Sequence, residues 1–233
     1  MKNFLLTMLL LFIPFLCFRE KAEFSHYFLK DDTHFPNKEG FSDAYFWLSK
    51  MVLLPKDHYN VEEASKMVQT LAKIPSSLLK KLWKHRVYIK FFTGNLTDEE
   101  EAFHLKNQLP RGYRNHNRTW DDVPGMGGGH VVLVKIGSSR KGAGHGSVNL
   151  ELHETAHSLD RIVFDRIRDD PYFLSIWKKE AGPLFNYGYY YLMYPEEFFA
   201  ESFAMFYASK DTRKLLKEQG PLIYSFIKNL EKS

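Results

Sequence analysis

Cysteine is all but missing: the chain has 233 residues and one of them, Cys17, carries a thiol. No disulfide framework can hold such a chain, so its fold must rest on a packed core. Long apolar runs are also scarce. The longest runs from Phe4 to Phe18, contains Cys17, and has Thr7 as its one polar residue. A spanning helix needs about 20 apolar residues, so the run is too short to serve as a stable membrane span. Behind Met1-Lys2-Asn3 it reads as a signal peptide over residues 1–18, although no small residues mark a cleavage site. Charge of one sign is lacking too. The net charge is only +4 and the Lys and Arg residues are scattered, which excludes a nucleic-acid surface. No internal repeat or low-complexity tract is present. Export without disulfides points to secretion from a Gram-positive bacterium.

What is present is apolar substance: 44% of residues are hydrophobic and 16% aromatic. That excludes disorder and suffices for one domain. We place it at residues 43–233, behind a lead-in at 19–42. The pattern predicts a short helix from Asp43 to Leu54 and a helix from Val61 to Ile74. It then predicts a helix through Trp83, a strand from Arg86 to Phe92, and a short helix from Asp98 to Leu105. Leu109 to Gly129 reads as a long loop, followed by a strand from His130 to Ile136 and a glycine-rich connector to Gly146. The remainder reads as helices: Pro171 to Lys179, Pro195 to Ser209, and one or two more from Asp211 to Leu230. The fold class expected is α+β, mostly helical, with a small sheet.

The stretch His153-Glu154-Thr155-Ala156-His157 carries the chemistry. Positions i and i+4 share one face of a helix, so both imidazoles can hold one metal ion. Ser147 is placed as the N-cap, and Leu152, Ala156, Leu159, Val163 and Ile167 recur at helical spacing. Neutral imidazole suits zinc, and a catalytic zinc site takes three protein ligands and keeps one position open. Glu154 lies beside the first histidine and can take a proton from water at that position, the logic of HExxH in zinc peptidases. One Zn²⁺ per chain is expected.

A third ligand is offered by Tyr194-Pro195-Glu196-Glu197-Phe198-Phe199-Ala200-Glu201. Pro195 suits the first turn of a helix, and Glu197 and Glu201 share a face. Glu197 is read as the ligand with Glu196 as the alternative, and Glu201 as the acceptor for a ligand histidine's second N–H. Tyrosines crowd residues 187–194, and one phenol there is expected to donate to the oxyanion. The strand before the zinc helix is read as a sheet edge to which a peptide adds, with Gly128, Gly129, His130 and Val132 as its contacts. His130 and His145 are otherwise read as structural.

Three stretches together resemble the anthrax lethal factor family of zinc metallopeptidases, and within it the small secreted Pro-Pro endopeptidases. They are Thr119-Trp120-Asp121-Asp122-Val123-Pro124-Gly125 with its following glycines, Gly144 through Glu154, and Pro195 through Glu201. The resemblance implies a zincin-like domain with His153, His157 and Glu197 as ligands and Glu154 as general base. It also implies a tyrosine seven residues before the ligand glutamate, here Tyr190, with Tyr187 and Tyr191 as alternatives. The activity implied is cleavage of peptide bonds, between two prolines, in exported proline-rich surface proteins. The chain is expected to act as a monomer. A docking domain or a toxin effector of the same family is the competing reading.

Overall fold

A computed structural model describes residues 26–33, 35, 43–110, 118–186 and 188–232. The signal-peptide segment, Cys17 and Tyr187 lie outside the described residues.

Five strands form one sheet: β1 (His26–Phe28), β2 (Val52–Pro55), β3 (Tyr88–Phe92), β4 (Gly125–Met126) and β5 (Val131–Lys135). Their order is β1-β2-β3-β5-β4. β2, β3 and β5 are parallel, with Ile89 opposite Val132, while β1 and β4 run antiparallel at the two edges. The pleat sorts the side chains by face. Ile89, Phe91, Val132 and Val134 join the main core, whereas Phe92 and Leu133 face a smaller cluster with Leu96 and Ala102.

Nine α-helices are described: α1 (Asp43–Leu48), α2 (Val61–Leu71), α3 (Ser76–Lys84), α4 (Leu150–Ser158), α5 (Pro171–Leu184), α6 (Tyr189–Met193), α7 (Pro195–Ala208), α8 (Lys210–Gln219) and α9 (Pro221–Leu230). α4 packs against β5 on one side and along α7 on the other. α7 is buried over most of its length, with Phe198, Phe199, Phe203 and Phe206 at its core-facing positions. A helix apolar all round belongs inside the molecule.

The expectations hold for α2, α3, β3 and β5, and the chain after Asp211 forms two helices. Others are corrected. The helix predicted to Leu54 stops at Leu48, because Val52 and Leu53 pair with Ile89 and Lys90 in the sheet. The segment Asp98 to Leu105 forms two 3₁₀ turns instead of a helix. There Lys90 reaches Glu99 at 2.8 Å and Glu101 at 2.9 Å, and those half-buried pairs override local helix preference. α4 ends at Ser158 in a π-turn (Leu159–Val163), closed by Phe164 N–H donating to Leu159 O at 3.0 Å. Val163 and Ile167 therefore leave the helical register. The described residues of the lead-in, 26–33 and 35, pack with the domain. β1 pairs with β2, and Asp32 accepts from Tyr27, Tyr59 and the Phe35 N–H.

Candidate active site

α4 is capped by Asn149, whose side chain accepts from Leu152 N–H at 2.9 Å. Ser147, predicted as the cap, instead braces the turn before it by donating to Asn149 O at 3.0 Å. Removing a cap of this kind costs about 1 kcal/mol. Asn149→Ala is expected to lower the midpoint of thermal unfolding by about 2–4 °C, read by circular dichroism.

One turn into α4, His153 and His157 set their rings 4.8 Å apart at 83°, with Nε2 atoms separated by 3.2 Å. α7 delivers Glu197 to the same point. Its Oε2 lies 3.2 Å from His153 Nε2 and 3.6 Å from His157 Nε2. The three ligand atoms lie within 4.8 Å of one another. Glu201, one turn further along α7, accepts the His153 Nδ1–H at 3.1 Å and the Val148 N–H at 2.9 Å.

The donor set calls for a cation at its centre. His153 spends its Nδ1–H on Glu201, so its neutral form turns a bare Nε2 lone pair towards a carboxylate oxygen and a second imidazole. Electron pairs converging at about 3 Å repel unless a proton or a metal ion sits among them. Electrostatics lean the same way. Burial opposes a charge on His153, yet Glu197 and Glu201 outweigh it and hold its pKa well above the ordinary histidine value. Burial likewise opposes charge on Glu197 and Glu201, but hydrogen bonds from both histidines to Glu197, and from His153 to Glu201, push both carboxyls below the ordinary range. The residues present fit a metal ion.

Glu154 sits beside this centre in a cleft of about 550 Å³. Burial raises its pKa above the usual carboxylate value, partly offset by the two histidines and by the Gly127 amide. The segment Gly125–Gly129 passes directly over α4. A Cβ on Gly127 would lie 2.1 Å from the Glu154 carbonyl oxygen, and one on Gly125 would lie 2.9 Å from Glu154 Cγ. Only residues without a side chain allow that approach. Ser158 fastens the segment by accepting from Gly128 N–H at 3.1 Å and donating to Gly129 O at 2.8 Å.

Tyr190 and Tyr191 both line the cleft. Tyr191 stacks on Phe185 at 4.1 Å, and burial, then Glu201 and Glu197, raise its phenol pKa. Glu196, the alternative ligand, pairs instead with Arg168 at 3.6 Å. Arg168 is held by the buried Asp160, which also accepts its backbone N–H at 2.9 Å. Sequence reasoning missed this network. Its signal was Asp160 itself, a charge in an apolar stretch that needs a partner. The expected edge strand is corrected. β5 lies between β3 and β4, Val132 is buried in the core, and His130 donates to His85 O at 3.1 Å. The edge above α4 is β4, within the stretch read as loop; Gly125, Met126 and Gly128 line the cleft. Among the contacts predicted, Gly128 is the one that does so. His145 donates to Ser138 O at 2.7 Å in the cleft wall.

The family model described as anthrax toxin lethal factor, N- and C-terminal domain, matches residues 36–230. The chain belongs to the anthrax lethal factor family. A Pro-Pro endopeptidase of Clostridioides difficile (strain 630) is 47% identical over 185 residues, spanning 79% of this chain and 83% of that protein. A Pro-Pro endopeptidase of Paenibacillus alvei is 44% identical over 183 residues, spanning 78% of this chain and 84% of that protein. The solved structure of the Pro-Pro endopeptidase from Paenibacillus alvei superposes with a TM-score of 0.74 at 42% identity. It covers 81% of this chain and 100% of the solved one. The fold is thus zincin-like, and the protein is a metallopeptidase.

Proposed function

We propose that this protein is a secreted zinc metalloendopeptidase that cleaves between two prolines in exported, proline-rich proteins. One observation carries the reading: His153, His157 and Glu197 converge within 4.8 Å beside Glu154 in an open cleft. Two imidazoles and a carboxylate are a donor set of catalytic zinc, one ion per chain. Bound there, zinc would supply a Lewis acid that polarises a peptide carbonyl and makes water acidic enough to ionise near neutral pH. Glu154 removes the proton from the attacking water and returns it to the leaving nitrogen. Its raised pKa, set by burial, suits a group that must both take and give a proton. Tyr190 donates its phenol hydrogen to the oxyanion. Glu201 keeps the His153 ring in the tautomer that leaves Nε2 free for the metal.

The outer edge of β4 supports an extended substrate laid along the cleft. A proline offers a carbonyl but no N–H, so at the scissile pair the donors must come from the enzyme's strand. The Pro-Pro preference is brought by the relatives named above. Secretion rests on the apolar run behind Lys2, and no helix among the described residues is long and apolar enough to cross a membrane. The protein acts as a monomer.

The test is digestion of a peptide library varied around a Pro-Pro core by residues 24–233, with and without a zinc chelator. Chelator-sensitive cleavage between prolines, restored by added zinc, is expected. Chelator-sensitive cleavage elsewhere would keep the peptidase and discard the proline preference. No cleavage by zinc-loaded protein would discard both in favour of a docking domain.

A further inference from the structure

Away from the cleft, α1 and α3 carry an aromatic cluster that the core absorbs only in part, through Trp47. Phe46 is 53% exposed and Trp83 39% exposed, with Trp47 between them. The Phe46 and Trp47 rings lie 5.0 Å apart at 82°, and Trp47 and Trp83 lie 5.3 Å apart. Lys50 places its ammonium 3.8 Å from the Phe46 ring centre and within 6 Å of both indoles. Lys80 approaches Trp47 at 5.9 Å. On α3, Lys80, Trp83 and Lys84 share a face, and exposed Arg86 follows in a left-handed turn at φ 56°. The surrounding sequence is poor in acid: from Ala64 to Thr97 it has no Asp or Glu. On α1 the one acid is Asp43.

We infer that this face docks the domain on an anionic lipid surface. Exposed aromatic clusters mark interaction sites, since leaving them in water forgoes their burial. Trp and Phe settle at the depth of lipid headgroups, while Lys and Arg reach the phosphates around them. Each cation near such a surface strengthens binding several-fold; Lys50 and Lys80 stand against these rings, and Lys84 and Arg86 follow on the same segment. An anionic glycopolymer would satisfy the charges equally. Sugars, however, stack on open ring faces, and Lys50 already occupies that of Phe46. The chemistry favours lipid.

The test is co-sedimentation of residues 24–233 with vesicles of phosphatidylcholine alone or with a third phosphatidylglycerol. This segment contains the whole stretch matched by the family model, residues 36–230, and the solved relative is covered over 100% of its own chain. Binding to the anionic vesicles only, weakened by salt, is expected. Lys80→Glu with Lys84→Glu should lower the partition coefficient by more than about tenfold. Phe46→Ser with Trp83→Ser should also lower it. Both variants should keep the parent's thermal midpoint within a few degrees and its peptidase rate, since neither touches the cleft. Absence of binding, or equal binding by both variants, would overturn the inference. Retention on purified anionic wall polymer without vesicle binding would replace the lipid with a glycopolymer.

Discussion

Glu154→Gln is expected to reduce kcat/KM on a Pro-Pro peptide by about 10²–10⁴-fold while one zinc per chain is retained. The amide keeps the shape that lies beneath Gly125 and Gly127, so the strand above α4 should stay in place. It cannot take a proton from water. Glu154 is absent from the three-residue ligand cluster, so metal content should not fall. The loss should appear in kcat with KM little changed, because the carboxylate acts on the reacting atoms rather than on substrate binding. Stopped assays and zinc analysis on the same preparation read both quantities. A variant keeping more than a tenth of the parent's activity would remove Glu154 from the role of general base. Parallel loss of zinc would reassign it to holding the metal.

The contrast between what the sequence reveals and what it hides follows from the range of the interactions. Helical spacing is local, so the pairing of His153 with His157 and of Glu197 with Glu201 is legible from four-residue offsets alone. That α4 and α7 face each other is not local, yet it could be argued, because Glu201 lies among phenylalanines and a carboxylate there needs a partner. The same argument applied to Asp160 calls for a partner such as Arg168. The partner itself stays hidden, because the π-turn that brings the two together has no sequence period of its own. Strand order was the least legible feature. β4 is two residues long and glycine-bearing, so it looks like loop, and only its antiparallel register with Leu133 and Val134 reveals it. Reading β5 as the edge followed from that omission. The Lys90 pairs hid the 3₁₀ turns in the same way, since their partners lie nine and eleven residues away.

The second large effect separates the two adjacent glutamates of α7. Glu197→Gln is expected to weaken zinc binding by more than about 100-fold, because it removes a ligand. Glu201→Gln, which disturbs only the orientation of His153, should cost about 10–100-fold. Glu196→Gln should leave zinc affinity within a few-fold of the parent. Its carboxylate pairs with Arg168 and is absent from the three-residue ligand cluster, and Arg168 keeps Asp160 as its main partner. Competition against a chromophoric chelator gives all three affinities on one scale. The ranking matters more than any single value, since the two neighbours are chemically identical and differ only in where the helix points them. Pro195 opens α7 and sets that phase, with Glu197 N–H donating to Tyr194 O at 3.1 Å. Had α7 begun one residue earlier, Glu196 would take the third helical position that Glu197 holds. Loss of zinc from Glu196→Gln with retention in Glu197→Gln would show that phase to be wrong, and with it the assignment of Glu201 to His153.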